Sequence, residues 1–231
     1  MTDKTPYIKV TKDGPYLVFG APKIAEETIV TDNDGVSIEY AEGKTFEIKG
    51  EEPVSLCRCG ESKNAPYCDG THTKIGFDGT ETASFDPIAK NAAVYRGPNV
   101  SLQDNQKYCT FARFCDAGGQ VWRLVKKKDQ ESTDLAIKEA CNCPAGRLVI
   151  LDKDGKEVEP NLPMSIGVLE DSGLKLSGPL YIKGKIRVES EDGKSYEVRN
   201  RQTLCRCGQS NNKPFCNGAH AAVKYKAKKQ S

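Results

Sequence analysis

A chain of 231 residues has room for one large domain or for two or three small ones, and only 37% of it is hydrophobic, with a single tryptophan. A formal net charge of +2 gives no strong field, which argues against nucleic acid or an anionic membrane as partner. With 21 glycines and 12 prolines, short strands, turns and loops are expected over long helices.

The opening "MTDKTPYIKV" has no apolar signal region, and no stretch of the chain reaches bilayer-spanning length. The expectation is a cytoplasmic protein whose ten cysteines stay reduced, where metal ligation is favoured over a disulfide framework. "GPYLVFGAPKI" (14–24) reads as strand, and "VSIEYAEGKTFEIKG" (36–50) as a hairpin. Next comes "CRCGESKNAPYCDGTH" (57–72), with three cysteines and a histidine. Asp69 is a good N-cap, which predicts a helix start with His72 as its third residue. Backbone N–H groups at such a start favour a negatively charged centre.

The middle of the chain holds "CTFARFC" (109–115) and "CNCPAGRL" (141–148), separated by "STDLAIKEAC" (132–141). The latter has a Ser/Thr/Asp start and good helix formers, and predicts one short helix. "VILDKDGKEVEP" then predicts a hairpin around Asp154-Gly155. "GPLYIKGKIRV" (178–188) echoes 14–24, and "KIRVESEDGKSYEVRN" predicts a third hairpin about Asp192-Gly193. "CRCGQSNNKPFCNGAH" (205–220) follows, and the basic tail "KYKAKKQS" reads as a solvated end.

An internal repeat organises these pieces. A shift of 148 residues carries Cys57, Cys59, Pro66, Cys68, Gly70 and His72 onto Cys205, Cys207, Pro214, Cys216, Gly218 and His220. Both histidines of the protein fall at one place in one motif, which packing does not explain. Cys57 and Cys59 can face one side of an extended segment, and Cys68 returns after a loop with His72 close behind. Three thiolates and an imidazole suit either a structural zinc ion or a [2Fe–2S] cluster, and ligand number does not choose between them. The spacing departs from common zinc fingers and leans toward iron and sulfide.

The pattern C-x-C-x₂-S-x₃-P-[YF]-C-[DN]-G-x-H, present twice, resembles the CDGSH iron–sulfur (mitoNEET-like) family. Ser62 and Ser210 match its hydroxyl position, while Thr71, Ala219 and Asn217 depart from it at non-ligand positions. The resemblance implies one [2Fe–2S] cluster on Cys57, Cys59, Cys68 and His72, and another on Cys205, Cys207, Cys216 and His220. It also implies a mainly β fold with small α content, in which two β-cap and cluster-loop units form an intramolecular pseudo-dimer. A monomer with an internal pseudo-two-fold is then expected.

The middle segment resembles a divergent single-cluster ferredoxin-like domain through Cys109, Cys115 and Cys143, with Cys141 as an extra thiol. That likeness implies a third cluster, [4Fe–4S] or [3Fe–4S], with its fourth ligand unassigned; the alternative is a set of buried, small apolar cysteines. The expected units are 1–90, a first CDGSH-type unit; 91–160, the ferredoxin-like insertion; and 161–231, a second CDGSH-type unit. Arg58, Arg113, Arg147 and Arg206 are read as solvated or surface-paired side chains.

Function follows from the ligands. The leading expectation is electron transfer or redox sensing with a partner protein, since one imidazole ligand sets a potential between all-cysteine and two-histidine clusters. A cluster carrier that hands its clusters to an apo-acceptor protein is the alternative. There acid competes with iron for His72 and His220, because free imidazole titrates near about 6.5. A zinc-stabilised interaction module is a third reading. No catalytic constellation is present, so the chain is not expected to be an enzyme in its own right.

Overall fold

The structure is a computed structural model that describes residues 5–48 and 53–228. The ends of the expected 36–50 hairpin and of the basic tail, residues 49–50 and 229–231, lie outside the described residues. The first part of the chain forms β1 (Tyr7–Val10), β2 (Tyr16–Phe19), β3 (Lys23–Thr31), β4 (Ser37–Thr45), β5 (Val54–Leu56) and a helical turn α1 (Thr71–Lys74). The middle forms β6 (Ala93–Arg96), β7 (Ser101–Asp104), α2 (Val121–Leu124), α3 (Gln130–Cys141), β8 (Leu148–Leu151) and β9 (Glu157–Val158). The last part forms β10 (Ser165–Asp171), β11 (Leu176–Lys183), β12 (Arg187–Glu189), β13 (Arg201–Leu204) and a second helical turn, α4 (Ala219–Ala222). The protein is mainly β with small α content, and no described helix is long and apolar enough to cross a membrane.

Three sheets result, ordered β12-β1-β2-β5, β13-β11-β10-β3-β4 and β6-β7-β8-β9. The first two are built alike. In each, a strand that leads into a CxC motif, β5 or β13, pairs antiparallel with the inner strand of a hairpin, β2 or β11. Tyr16 faces Leu56 in one and Leu180 faces Leu204 in the other, at equivalent places. The hairpin's other strand, β1 or β10, then takes a parallel partner from the opposite half of the chain: β12 beside β1, and β3 beside β10. Each half thus extends the other's sheet, an internal pseudo-dimer by strand exchange.

Sequence explains why the long strand β3 can do this. Its burial alternates along "KIAEETIVT", with Ile24, Ala25, Glu27 and Ile29 buried. Glu27 is tolerated inside because Lys183 of β11 forms an ion pair with it. The third sheet carries α3 on one side, capped by Asp129, whose carboxylate accepts the N–H of Ser132 at 2.8 Å. One apolar core runs through all three sheets, joining Ile8 and Leu56 to Leu180 and Leu204 and on to Leu102 and Leu148.

Three local expectations need correction. Residues 36–45 form a single strand rather than a hairpin, because β3 offers a nine-residue partner and the turn comes earlier, where Gly35 N–H meets Asp32 O at 3.1 Å. The Asp192-Gly193 turn forms, but its return arm makes only the Glu189–Ser195 bridge and no second strand. The middle helix starts two residues before Ser132, at Gln130, because Asp129 provides the cap. The Asp154-Gly155 hairpin is present as β8–β9.

Arg201 fastens the middle segment to the second half. Although almost wholly buried, it donates to the carbonyls of Ala140 (2.6 Å), Cys143 (2.7 Å) and Leu148 (3.2 Å) and pairs with Glu159. Removing one side of such a cluster strands the other. Arg201→Met is expected to lower unfolding stability by about 3–5 kcal/mol, read as the urea midpoint at unchanged slope. Arg187→Met, which breaks the half-exposed pair with Glu189 and the guanidinium's stacking on Tyr7, is expected to cost about 1 kcal/mol. Equal shifts would contradict the assignment.

Candidate metal centres

Each motif begins where a strand ends. Cys57 follows β5 and Cys205 follows β13, and their N–H groups donate to the carbonyls of Pro66 and Pro214, both at 2.8 Å. Cys68 and Cys216 are tied back to the same strands by bonds to Ser55 O and Thr203 O, both 2.9 Å. The motif serines close the loops: Ser62 Oγ donates to Tyr67 O and Ser210 Oγ to Phe215 O, each at 2.6 Å. Sequence-equivalent residues therefore make the same bonds in both motifs.

The donors come in twos. Cys57 and Cys59 hold their sulfurs 3.8 Å apart, and Cys205 and Cys207 do likewise. Cys68 Sγ lies 3.3 Å from His72 Nδ1, and Cys216 Sγ lies 3.4 Å from His220 Nδ1. Among the described residues no three His, Cys, Asp or Glu side chains converge as they would on one metal ion. All ten cysteines are free thiols.

In each motif one thiol is eased toward thiolate while the others are held up, Cys59 and Cys207 by the bond to their paired cysteine and Cys68 and Cys216 by burial. The S–H of Cys59 and the N–H groups of Ser62 and Gly60 lower the pKa of Cys57, and the same arrangement from Cys207, Ser210 and Gly208 lowers that of Cys205. Gly70 and Gly218 aim their N–H groups at Cys68 Sγ and Cys216 Sγ, at 3.5 and 3.4 Å. Burial, helped by the nearby Arg206 charge, pushes His220 down to about 4, which keeps its ring nitrogen free of a second proton at neutral pH.

The expected cap is displaced. Gly70, in the left-handed conformation at φ 80°, precedes α1, so His72 is the second helical residue; Gly218 does the same before α4. Asp69 instead braces the loop, accepting from Lys63 N at 2.9 Å and Thr71 N at 3.0 Å. These bonds, with that of the Thr71 hydroxyl, hold its pKa down to about 2. Asn217 accepts from Ala219 N at 3.2 Å in the same role.

The arginines are also not where a solvated reading puts them. Arg58 and Arg206, between the paired cysteines, are among the most buried side chains of the protein. Arg58 donates to Thr11 O and Gly79 O and lies over the Tyr16 and Phe77 rings. Arg206 pairs with Glu170 at 2.9 Å and lies over Tyr225. Arg113 makes a two-pronged pair with Asp171, and Arg147 is buried beside Asp104. These guanidiniums need partners because their backbones are fixed by inward-facing neighbours, a constraint that repetition of "CRC" in both motifs already signals.

Two further features escaped the sequence reading. A Cβ on Gly60 would sit 2.7 Å from the carbonyl oxygen of Cys207, and one on Gly208 would sit 2.6 Å from that of Cys59. The two motifs thus meet back to back, and only glycine allows it. Tyr16, wholly buried, donates its hydroxyl across the halves to Cys205 O (2.8 Å) and Pro214 O (3.0 Å). Nothing in its local sequence marks it for that role.

In the middle segment, Cys109, Cys115 and Cys143 line one small cleft together with Arg147 and Phe111. Burial pushes the Cys115 thiol up to about 12. Burial opposes the Arg147 charge, but Cys109, Asp104, Cys143 and Cys115 together raise its pKa. Cys141 turns away, its sulfur 3.6 Å from Val158 O, and lines a different cleft. Ala112, half-way between Cys109 and Cys115, is buried where a C-x₂-C-x₂-C run would have its middle cysteine.

Residues 13–73 and 177–221 match the family described as an iron-binding zinc finger of CDGSH type. Residues 95–153, between them, match the family described as a divergent 4Fe-4S mono-cluster. No curated protein and no solved structure matches the chain. The chain is an iron–sulfur protein that carries two CDGSH-type matches with a divergent 4Fe-4S match between them.

Loss of the Tyr16 hydroxyl takes the donor from Cys205 O and leaves Pro214 O with the Cys205 N–H alone. Tyr16→Phe is expected to cost about 1–3 kcal/mol in urea unfolding and to loosen the second motif. The visible absorption that remains after Cys57→Ala, which disables the first site, should then bleach faster in air with Tyr16→Phe than without it. An unchanged bleaching rate would deny Tyr16 this role.

Proposed function

We propose that each Cys₃His set holds a [2Fe–2S] cluster, one iron per donor pair, and that the protein carries electrons between partner proteins. The pairing of donors supports this reading: Cys57 with Cys59 and Cys68 with His72 in one motif, Cys205 with Cys207 and Cys216 with His220 in the other. A zinc ion would draw four donors toward one point, whereas a binuclear cluster takes two donors at each iron. Such a cluster, when bound, supplies one-electron chemistry with little rearrangement.

The chain's own residues set the conditions for that chemistry. Buried Arg58 and Arg206 place positive charge beside thiolate-rich centres, and N–H groups reach the sulfurs of both motifs; both effects favour the reduced state. Cys109, Cys115 and Cys143 would hold a third centre, with Arg147 offsetting its charge. Three thiolates with alanine at the fourth position suit a [3Fe–4S] cluster, or a [4Fe–4S] cluster with a non-cysteine ligand.

Cluster donation is a second reading, favoured by one observation. Cys68 and His72 are half-exposed, whereas Cys216 and His220 are buried. The first site has an edge through which a cluster can leave toward an apo-acceptor protein.

Anaerobically prepared protein should be red-brown, bleach with dithionite and contain iron and acid-labile sulfide for at least two binuclear clusters. A colourless protein with stoichiometric zinc would defeat the proposal. An iron chelator should bleach the CDGSH-type absorption in two phases about tenfold or more apart in rate, the ratio for an opening about 1.4 kcal/mol easier at the exposed site. His72→Ala should leave only the slow phase. Recovery of intact clusters on an added apo-ferredoxin, without free iron, would favour donation over electron transfer.

A further inference from the structure

The two CDGSH-type motifs are equals in sequence and unequal in surroundings. Among the described residues a Cβ on Gly70 would meet nothing within 4 Å, and Cys68 and His72 are half-exposed. At the matching place, a Cβ on Gly218 would lie 2.9 Å from the carbonyl oxygen of Cys109 and 3.7 Å from Cβ of Phe111. The middle cysteine loop therefore sits on the histidine side of the second motif and on no counterpart in the first.

Several independent contacts hold it there. Tyr108, beside Cys109, and Phe215, beside Cys216, pack edge to face with ring centres 5.5 Å apart. Arg113 of the same loop grips Asp171 of β10 with bonds of 2.7 and 3.1 Å. Phe114 packs against Ile29 and lies 4.7 Å, ring to ring, from Tyr40, on the β3–β4 hairpin that belongs to the second motif's sheet. Behind the second motif, Gly208 and Cys207 back onto Cys59 and Gly60 of the first.

We infer that the middle ligand set exchanges electrons directly with the second Cys₃His set and reaches the first only through it, so that the three sites form an ordered relay ending at the open His72 edge. This rests on the reading of all three sites as cluster sites. Electron transfer weakens exponentially with the gap between centres, and here adjoining sites share backbone contact: Cys109 with Gly218, then Cys207 with Gly60. One electron from a ferredoxin-class donor reduces the middle site. That site is reoxidised as the second is reduced, the second is reoxidised as the first is reduced, and a one-electron acceptor protein at the His72 edge reoxidises the first. No bond forms or breaks at any step.

The test is electron paramagnetic resonance of the fully reduced, full-length protein. His72→Cys and His220→Cys, made singly, shift one signal each and so identify the first and second sites. The second-site signal should be broadened and hard to saturate with microwave power. In Cys115→Ala/Cys143→Ala, which removes the middle set but keeps the Cys109 backbone, that extra relaxation should be lost from the second-site signal and little changed at the first. The saturation difference between the two sites in unmodified protein provides the same answer without a variant. Equal relaxation of both sites, or a middle-site effect on the first alone, would overturn the relay. Iron and sulfide for only two binuclear clusters would overturn it too while leaving the two Cys₃His clusters standing, and zinc in place of iron would remove both.

Discussion

The structure depends on an exchange of strands between the two halves of the chain. β3 leaves the first half to lie parallel to β10, and β12 leaves the second half to lie parallel to β1. Parallel neighbours cannot be joined by a tight turn, so each pair forces a long connection through the molecule. That requirement brings the two CxC loops to the same place, where Gly60 and Gly208 pass each other's cysteine carbonyls. A chain that carries both halves meets this geometry without an association equilibrium, so the back-to-back arrangement survives at any protein concentration.

Much of the site was legible in the sequence because metal ligation is a matter of residue type and spacing. The cysteines and histidines of the two motifs, and Cys109, Cys115 and Cys143 between them, can be read directly as candidate ligands; in the structure the motif residues come together as pairs and the three middle cysteines line one cleft. The β character and the Asp154-Gly155 hairpin were legible for similar reasons, since short-range turn chemistry decides them. Long-range effects were not. The stretch 36–50 reads as a hairpin, yet a long antiparallel partner draws Ser37–Thr45 into one strand. Arg58 and Arg206 look like solvent-facing charges until distant residues of their own halves close over them, Thr11, Tyr16, Phe77 and Gly79 about Arg58 and Leu169, Glu170 and Tyr225 about Arg206.

The cap at α1 shows the same limit at smaller scale. Asp before an apparent helix is a sound N-cap signal, but the cysteine at 68 must stay within reach of His72. Gly70 supplies the left-handed turn that achieves this, which moves the helix start one residue on and frees Asp69 to brace the loop. Local propensity yields to the geometry that the donor pair requires.

Identical motifs need not be identical sites. Both loops share the backbone and serine hydrogen bonds that close them, so their intrinsic donor geometry is nearly the same. What differs is the third body: the middle segment, fastened by Arg201 and Arg113, covers the second histidine and leaves the first open. Burial lowers the local dielectric and strengthens every charge interaction at the second site, while water screens those at the first. A symmetric two-motif unit would have no direction. On the proposed relay, an insertion that docks on one side supplies one, by giving the covered site an internal neighbour and leaving the other site uncovered.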